Sequence, residues 1–273
     1  KTKIMFEHLN RVMEIVRRLG LEPMMWSDMF FRAISGDYYD ENINIPQNVV
    51  DMVPKDVDLI YWDYYHFDED FYLKFIDKHR AFGEPIFAGG IWTWIGFGAN
   101  WGKTYATMNP ALMACKKQGV KRVFATIWGD NGTECNVYAN LLGLAFFAEH
   151  GYSYELDYEK LKKRFEFCTG AKYDDFYNMK YLDEVPGSKP DNPDNLNPSK
   201  YLMWQDILTG MFDKNIDGLP LDDHYKVLAE KFKAAIGRNG DYDGLFRYNY
   251  NIANVLSIKS DIGLKITRAY KEN

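Results

Sequence analysis

The chain of 273 residues is long enough to bury a sizeable core, in one large domain or in a domain with a smaller companion. A net charge of −6 with no basic stripe argues against nucleic acid as a partner, and no apolar run approaches the roughly 20 residues of a membrane span. Cys115, Cys135 and Cys168 lack metal-ligand spacing and read as reduced thiols of a cytoplasmic protein, while Lys1 opens straight into a helical pattern with no export signal. Aromatic residues make up 16% of the chain, more than core filling needs, which suits a site that stacks on flat ligand faces.

Residues 4–19 carry Met5, Leu9, Val12, Met13, Val16 and Leu19 at helical spacing, which predicts an amphipathic helix stopped by Gly20. A strand follows over 22–26, then a loop over 30–44 and a short helix opened by Pro46. The second strand is expected over 58–62, with a helix over 71–82 behind the acidic Asp68, Glu69 and Asp70 and closed by Gly83. The third strand spans 85–91 and runs into a glycine-rich loop over 95–100, with a helix over 110–118 stopped by Gly119. The fourth strand spans 122–127, and its helix 135–149 is closed by Gly151.

Four strand–helix units thus recur at roughly 30-residue intervals, the length of a βαβ repeat. Their strands are apolar throughout, as parallel strands covered by helices on both faces should be. The pattern fits the second half, strands five to eight, of a (β/α)₈ TIM barrel, in which function sits at the carboxyl ends of the strands. An open doubly wound sheet is the alternative, but no Gly-x-Gly-x-x-Gly follows the first strand and no phosphate loop occurs. After residue 152 the pattern predicts only helices (156–167, 199–212, 221–236 and 242–270) and a Pro- and Asp-rich surface loop over 181–198. The expected division is therefore a half-barrel over 1–151 and an all-α domain over 152–273.

Each predicted strand ends in tryptophan, and three of the four place an acid close by. The stretches are Pro23-Met-Met-Trp-Ser-Asp28, Leu59-Ile-Tyr-Trp-Asp-Tyr-Tyr65, Ile86-Phe-Ala-Gly-Gly-Ile-Trp-Thr-Trp94 and Val123-Phe-Ala-Thr-Ile-Trp-Gly-Asp130. A pyranose presents a face of polarised C–H groups that packs on an indole, and a carboxylate accepts from two neighbouring hydroxyls. Trp26, Trp62, Trp92, Trp94 and Trp128 are therefore candidate sugar-stacking residues, with Asp28, Asp63 and Asp130 as hydroxyl acceptors and Tyr64 as a possible partner of an acetamido oxygen. Glu134, Asn131, Tyr61 and Tyr65 are weaker candidates, and Asp28 and Asp130 are also placed to cap the turns that follow them. Trp101 and Trp204 lack the strand-end pattern and read as structural or peripheral. The five histidines show no partner pattern, no Ser/His/Asp or Cys/His set is visible, and neither a metal nor a cofactor is called for.

In order and spacing these stretches resemble the later strands of family 20 glycoside hydrolases, the β-N-acetylhexosaminidases, in the bacterial exo-acting branch with a helical C-terminal domain. The resemblance is densest over residues 22–131. It implies a retaining, substrate-assisted mechanism in which the substrate's 2-acetamido oxygen attacks the anomeric carbon, oriented by an Asp and assisted by an adjacent Glu acid/base at the end of the fourth barrel strand. Asp40-Glu41, Asp68-Glu69 and Asp183-Glu184 occur here, but none ends an apolar strand. By the family's order the catalytic pair belongs before residue 1, so no catalytic residue is assigned and the chain alone is expected to be inactive.

By resemblance Trp26, Trp62 and Trp128 wall the pocket for a terminal β-linked N-acetylglucosamine (GlcNAc) or N-acetylgalactosamine (GalNAc). Asp130 stands where the family usually has a Glu, and Trp92-Thr-Trp94 stands where many members have a Tyr and an Asp. The expected partners are this carbohydrate and either the first half of the barrel or a second copy. Two other readings remain open from the residues: a non-catalytic carbohydrate-binding module, and a different barrel glycosidase that uses Asp63 with Asp130.

Overall fold

The computed structural model describes residues 2–129, 131–132 and 134–272. It forms two compact units, one of Lys1–Gly90 with Thr107–Thr126 and the other of Ile91–Ala106 with Ile127–Asn273.

Unit 1 holds the sheet. β1 (Met24–Trp26), β2 (Asp58–Trp62), β3 (Ile86–Gly90) and β4 (Val123–Thr126) pair in parallel in the order of the sequence, with no reversal point. Trp26 lies opposite Ile60, Trp62 opposite Ala88 and Gly90 opposite Thr126. β3 is buried at every residue and β2 at its three central ones, which accounts for their unbroken apolar runs. The expectation of burial on both faces fails at the edges: Met24 of β1 and Val123 and Phe124 of β4 are exposed. Helix Thr2–Arg18 buries Phe6, Leu9 and Met13 in a cluster with Phe30, Val53, Val57 and Leu59. Val12 and Leu19, which fit the same periodicity, remain exposed.

Part of the expected loop over 30–44 is instead helix Asp28–Ser35. Asp28 sits in its first turn, Phe30 and Phe31 are buried beneath it, and Gly36 closes it at φ 86° with its N–H on the Arg32 carbonyl. The helix expected over 71–82 is Glu69–Arg80, starting two residues earlier because the Asp68 carboxylate accepts from the Asp70 N–H.

Unit 2 is helical, and no strand follows Thr126 among the described residues. Helices Leu221–Ala235 and Asp243–Lys259 pack along their lengths through Leu221, Tyr225, Leu228 and Phe232 on one side and Leu245, Phe246, Ile252 and Leu256 on the other. The turn between them is pinned by Asn239, whose Nδ2 donates to Asp175 and to the Ala235 carbonyl, both at 2.8 Å. Arg238 forks onto the same Asp175 carboxylate.

Several predicted boundaries move in this unit. The helix expected over 199–212 stops at Trp204, because the Asp206 carboxylate takes the Leu208 and Thr209 N–H groups into a turn. The helix expected over 242–270 breaks at Ser260 and resumes as Ile262–Glu272. Gly151 does not close its helix, which runs over Leu141–Tyr152. The helix expected from Pro110 starts at Trp101, and residues of Trp101–Lys117 belong to both units. The 181–198 stretch is not simply a surface loop. Asn192 is buried, its carbonyl accepts from Asn100, and Lys103 donates to the Pro193 carbonyl at 2.9 Å. Gly102 is required there, since a Cβ would stand 2.4 Å from the Asp191 Cα.

Candidate functional site

In unit 1 Trp26 and Trp62, at the carboxyl ends of β1 and β2, pack on the same residues of the sheet, and Asp28 and Tyr64 gather on Trp62. Trp26 and Trp62 are half-buried and pack on Ile60, Ile86 and Ala88 of the sheet. The Trp62 indole N–H donates to Asp28 Oδ1 at 3.3 Å, and Arg32 reaches the other Asp28 oxygen at 3.3 Å. Tyr64 stacks on Trp62 with centroids 5.5 Å apart and rings 27° from parallel. Tyr38 lies against the same indole at 5.0 Å, and Tyr39 donates its hydroxyl to the Trp62 carbonyl at 3.1 Å. Pairing with Asp28 fixes the plane of the Trp62 ring.

Asp63 is fully buried. Its carboxylate accepts from the Tyr61 hydroxyl at 2.9 Å, the Tyr65 N–H at 3.0 Å and His66 Nδ1 at 2.7 Å. This side chain orders the turn after β2 and orients the partly exposed His66, which stacks on Phe71 at 3.5 Å. Tyr61, a weaker candidate, is also buried and committed to Asp63.

Behind the tryptophans lies a buried relay. His79 Nδ1 is 2.6 Å from the Phe75 carbonyl, which can only accept, so Nδ1 carries the proton and Nε2 is an acceptor. The Ser27 hydroxyl lies 2.7 Å from that Nε2 and 2.8 Å from the Ile60 carbonyl, and it receives the Tyr38 hydroxyl at 3.0 Å. The Trp62 N–H donates back to Tyr38 at 3.3 Å. Burial pushes the His79 imidazole down to about 3, so it is neutral here, and burial holds the Tyr38 phenol well above its usual range. Chain order hides this set: Ser27 follows Trp26, Tyr38 stands in the expected loop, and His79 reads as an ordinary core histidine, which by burial it is.

In unit 2, Trp92 is 1% exposed and stacks on Trp94, itself 7% exposed, at 4.4 Å, with the Lys103 ammonium 4.3 Å above the Trp92 ring. Burial draws Lys103 down to about 8. Trp128, by contrast, is 38% exposed. Asn131 donates to the Ile95 carbonyl at 3.3 Å, and Glu134 pairs with Lys200 at 3.0 Å. Asp130 lies outside the described residues. Trp101 is fully buried with its indole N–H on the Phe176 carbonyl at 2.9 Å, a structural role, whereas Trp204 is 66% exposed. Among the described residues no group of acids, histidines and cysteines is arranged to hold a metal ion.

The helical part of unit 2 has a known counterpart. Residues 174–273 match the family model described as the Glycoside Hydrolase 20C C-terminal domain. Over these residues the chain is similar to a family 20 glycoside hydrolase C-terminal domain. The match agrees with the expected family and its helical C-terminal part, and residues 22–131 lie outside it. A domain of this family implies a parent glycosidase of the hexosaminidase type, and with it carbohydrate binding by the parent. No curated protein matches the chain. No helix among the described residues is long and apolar enough to cross a membrane.

Proposed function

We propose that the chain is the sugar-binding side of an exo-β-N-acetylhexosaminidase that removes terminal β-linked GlcNAc or GalNAc with retention. The observation that carries this reading is the match to a family 20 C-terminal domain in the same chain as four parallel strands, two of which end in tryptophans, Trp26 and Trp62, packed on the same sheet residues. In this reading the strands are the fifth to eighth of a (β/α)₈ barrel, residues 1–151 are its second half, and 152–273 form the helical domain. Two observations support it. The strands follow one another without the order reversal of a doubly wound sheet. The edge strands also expose Met24, Val123 and Phe124, apolar residues suited to further pairing. Those edges are completed by the remaining barrel strands or by a second copy.

The indoles of Trp26 and Trp62 stack on sugar C–H faces, and Asp28, locked on the Trp62 indole, accepts from a hydroxyl. Tyr64 holds the Trp62 face, and Asp63 acts through His66 and Tyr65 rather than directly. Trp92, Trp94, Trp128 and Asp130 are the unit 2 candidates; of the three described, Trp128 has the most accessible ring. The general acid/base is not among these residues. Asp40-Glu41 lies in a turn, Asp68-Glu69 starts a helix, and Asp183 is buried against Ser199 and Gly98.

The test is hydrolysis of a chromogenic β-GlcNAc glycoside together with GlcNAc titration. The chain alone should bind the sugar and release no chromophore, and Trp62→Ala should weaken binding about tenfold, the scale of one lost stacking contact. Turnover by the pure chain, abolished by Asp63→Asn, would overturn the assignment.

A further inference from the structure

We infer that the helical domain carries a sugar-ring site of its own, in the cleft between helix Pro198–Trp204 and the turn that follows it, with Trp204 as the stacking platform. The cleft encloses about 500 Å³, within the range of small-ligand sites, and its lining includes Trp204, Tyr201, Asn197, Asp206, Met211 and Phe212. Trp204 is 66% exposed at the last turn of its helix, and its indole N–H makes no hydrogen bond among the described residues. On its inner side the ring lies near the buried Phe97, with centroids 6.2 Å apart. The tilted rings of Tyr201 and Phe212 lie against each other at 4.7 Å and close one wall.

The polar groups around that face are already oriented. Asp206 Oδ1 is occupied by the Leu208 and Thr209 N–H groups, at 2.8 and 3.2 Å. Those bonds hold the carboxyl below its ordinary range, so it is ionised at neutral pH with Oδ2 left to accept. Asn197 donates through Nδ2 to the Ile95 carbonyl at 2.7 Å, which fixes its flip and leaves Oδ1 as an acceptor. Lys200 does not make the cleft an anion site, because its ammonium is taken by Glu134 at 3.0 Å and by the Asn131 carbonyl. A purely apolar ligand would strip water from the Asp206 carboxylate without replacing its hydrogen bonds. A flat C–H face bordered by hydroxyls satisfies the indole, the indole N–H and the two acceptors together.

Lys200, one turn before Trp204, ties this helix to the loop after β4 that contains Asn131 and Glu134. The site therefore rests on the same loop as Trp128, within unit 2. Its ligand class rests on the carbohydrate reading above. The structure assigns it to one ring of an oligosaccharide whose further hydroxyls reach the Asp206 and Asn197 acceptors, so that an oligosaccharide gains more from it than a monosaccharide does.

Calorimetric titration of the full chain with GlcNAc and with its β-1,4-linked trimer tests this in wild type, Trp204→Ala and Trp62→Ala. Trp204→Ala should weaken the trimer about tenfold and GlcNAc by less, and Trp204→Phe should recover part of the loss. An unchanged melting temperature is expected, because the ring is exposed. If Trp62→Ala weakens both ligands and Trp204→Ala weakens neither, the second site is refuted and the hexosaminidase reading stands. If only Trp204→Ala has an effect, the second site stands and the strand-end assignment falls. If the wild-type chain binds neither sugar, both are overturned.

Discussion

Two buried polar centres, one in each unit, make an instructive pair. In unit 1 the neutral His79 lies behind the strand ends and holds Ser27, and through it Tyr38. In unit 2 the buried Asp183 accepts from the Gly98 N–H at 3.1 Å and from the Ser199 N–H and hydroxyl at 3.0 and 2.6 Å. Each fastens a loop to an element distant in sequence, and each is a titratable group taken out of water. They differ in the sign of what burial does. It drives the base down to about 3 and raises the acid to about 6, so each centre favours its neutral form and the two respond to pH in opposite directions.

The largest effect should come from His79. Below its unfolded value near 6.5 the unfolded chain takes up a proton that the folded imidazole refuses. Stability from this group is therefore complete above about 6.5 and is lost as pH falls towards about 3, by at most about 4–5 kcal/mol. Urea unfolding of wild type and His79→Leu at pH 7, 5 and 4 checks it: the variant should be less stable at pH 7, and the gap should close on acidification. A gap independent of pH would break the comparison.

Asp183 should behave in reverse. Between the unfolded carboxylate value near 3.9 and about 6 the folded state holds the extra proton, so stability falls as pH rises through that window, by at most about 3 kcal/mol. Asp183→Asn should remove this slope, read as the change in urea midpoint between pH 4 and 7. A steeper slope in the variant would contradict it.

Gly98→Ala sharpens the same centre sterically. Its Cβ would stand 2.7 Å from Asp183 Oδ2 and 3.1 Å from the Met179 carbonyl, and overpacking of this kind should cost about 2 kcal/mol in chemical denaturation. Ser27→Ala should cost about 1 kcal/mol, because it removes the group that joins His79 Nε2 to Tyr38, and it should raise the sensitivity of Trp62 fluorescence to quencher. Arg32→Ala marks the bottom of the scale. Arg32 is exposed, so loss of its contact with Asp28 should shift stability by less than about 0.5 kcal/mol.

Much of the scaffold was legible before any fold was considered. Residues 58–62 read as a strand and are one, and the tryptophans at the ends of β1 and β2 pack against the same sheet residues. The acidic start of the helix at Asp68–Asp70 and the absence of strands after β4 among the described residues also follow from local pattern. Helix Asp28–Ser35 was missed although an acidic first turn and Gly36 mark it, because its apolar residues Phe30 and Phe31 are adjacent rather than periodic. The burial of Asp63 was hidden for a different reason. Its partners Tyr61 and His66 are close in sequence, but nothing local says that the turn folds inward.

The sequence by itself determined the elements whose stability is local: periodic strands and helices, capped by Asp and closed by Gly, in an order that dictates a parallel sheet followed by helices. Tertiary structure decided which aromatic residues are surfaces and which are core. Trp92 and Trp94 carry the same strand-end signature as Trp26 and Trp62, yet they stack on each other beneath Lys103, while Trp204, with no signature at all, stands open. Exposure depends on which distant segments pack against a ring, and a residue's neighbours along the chain do not specify that.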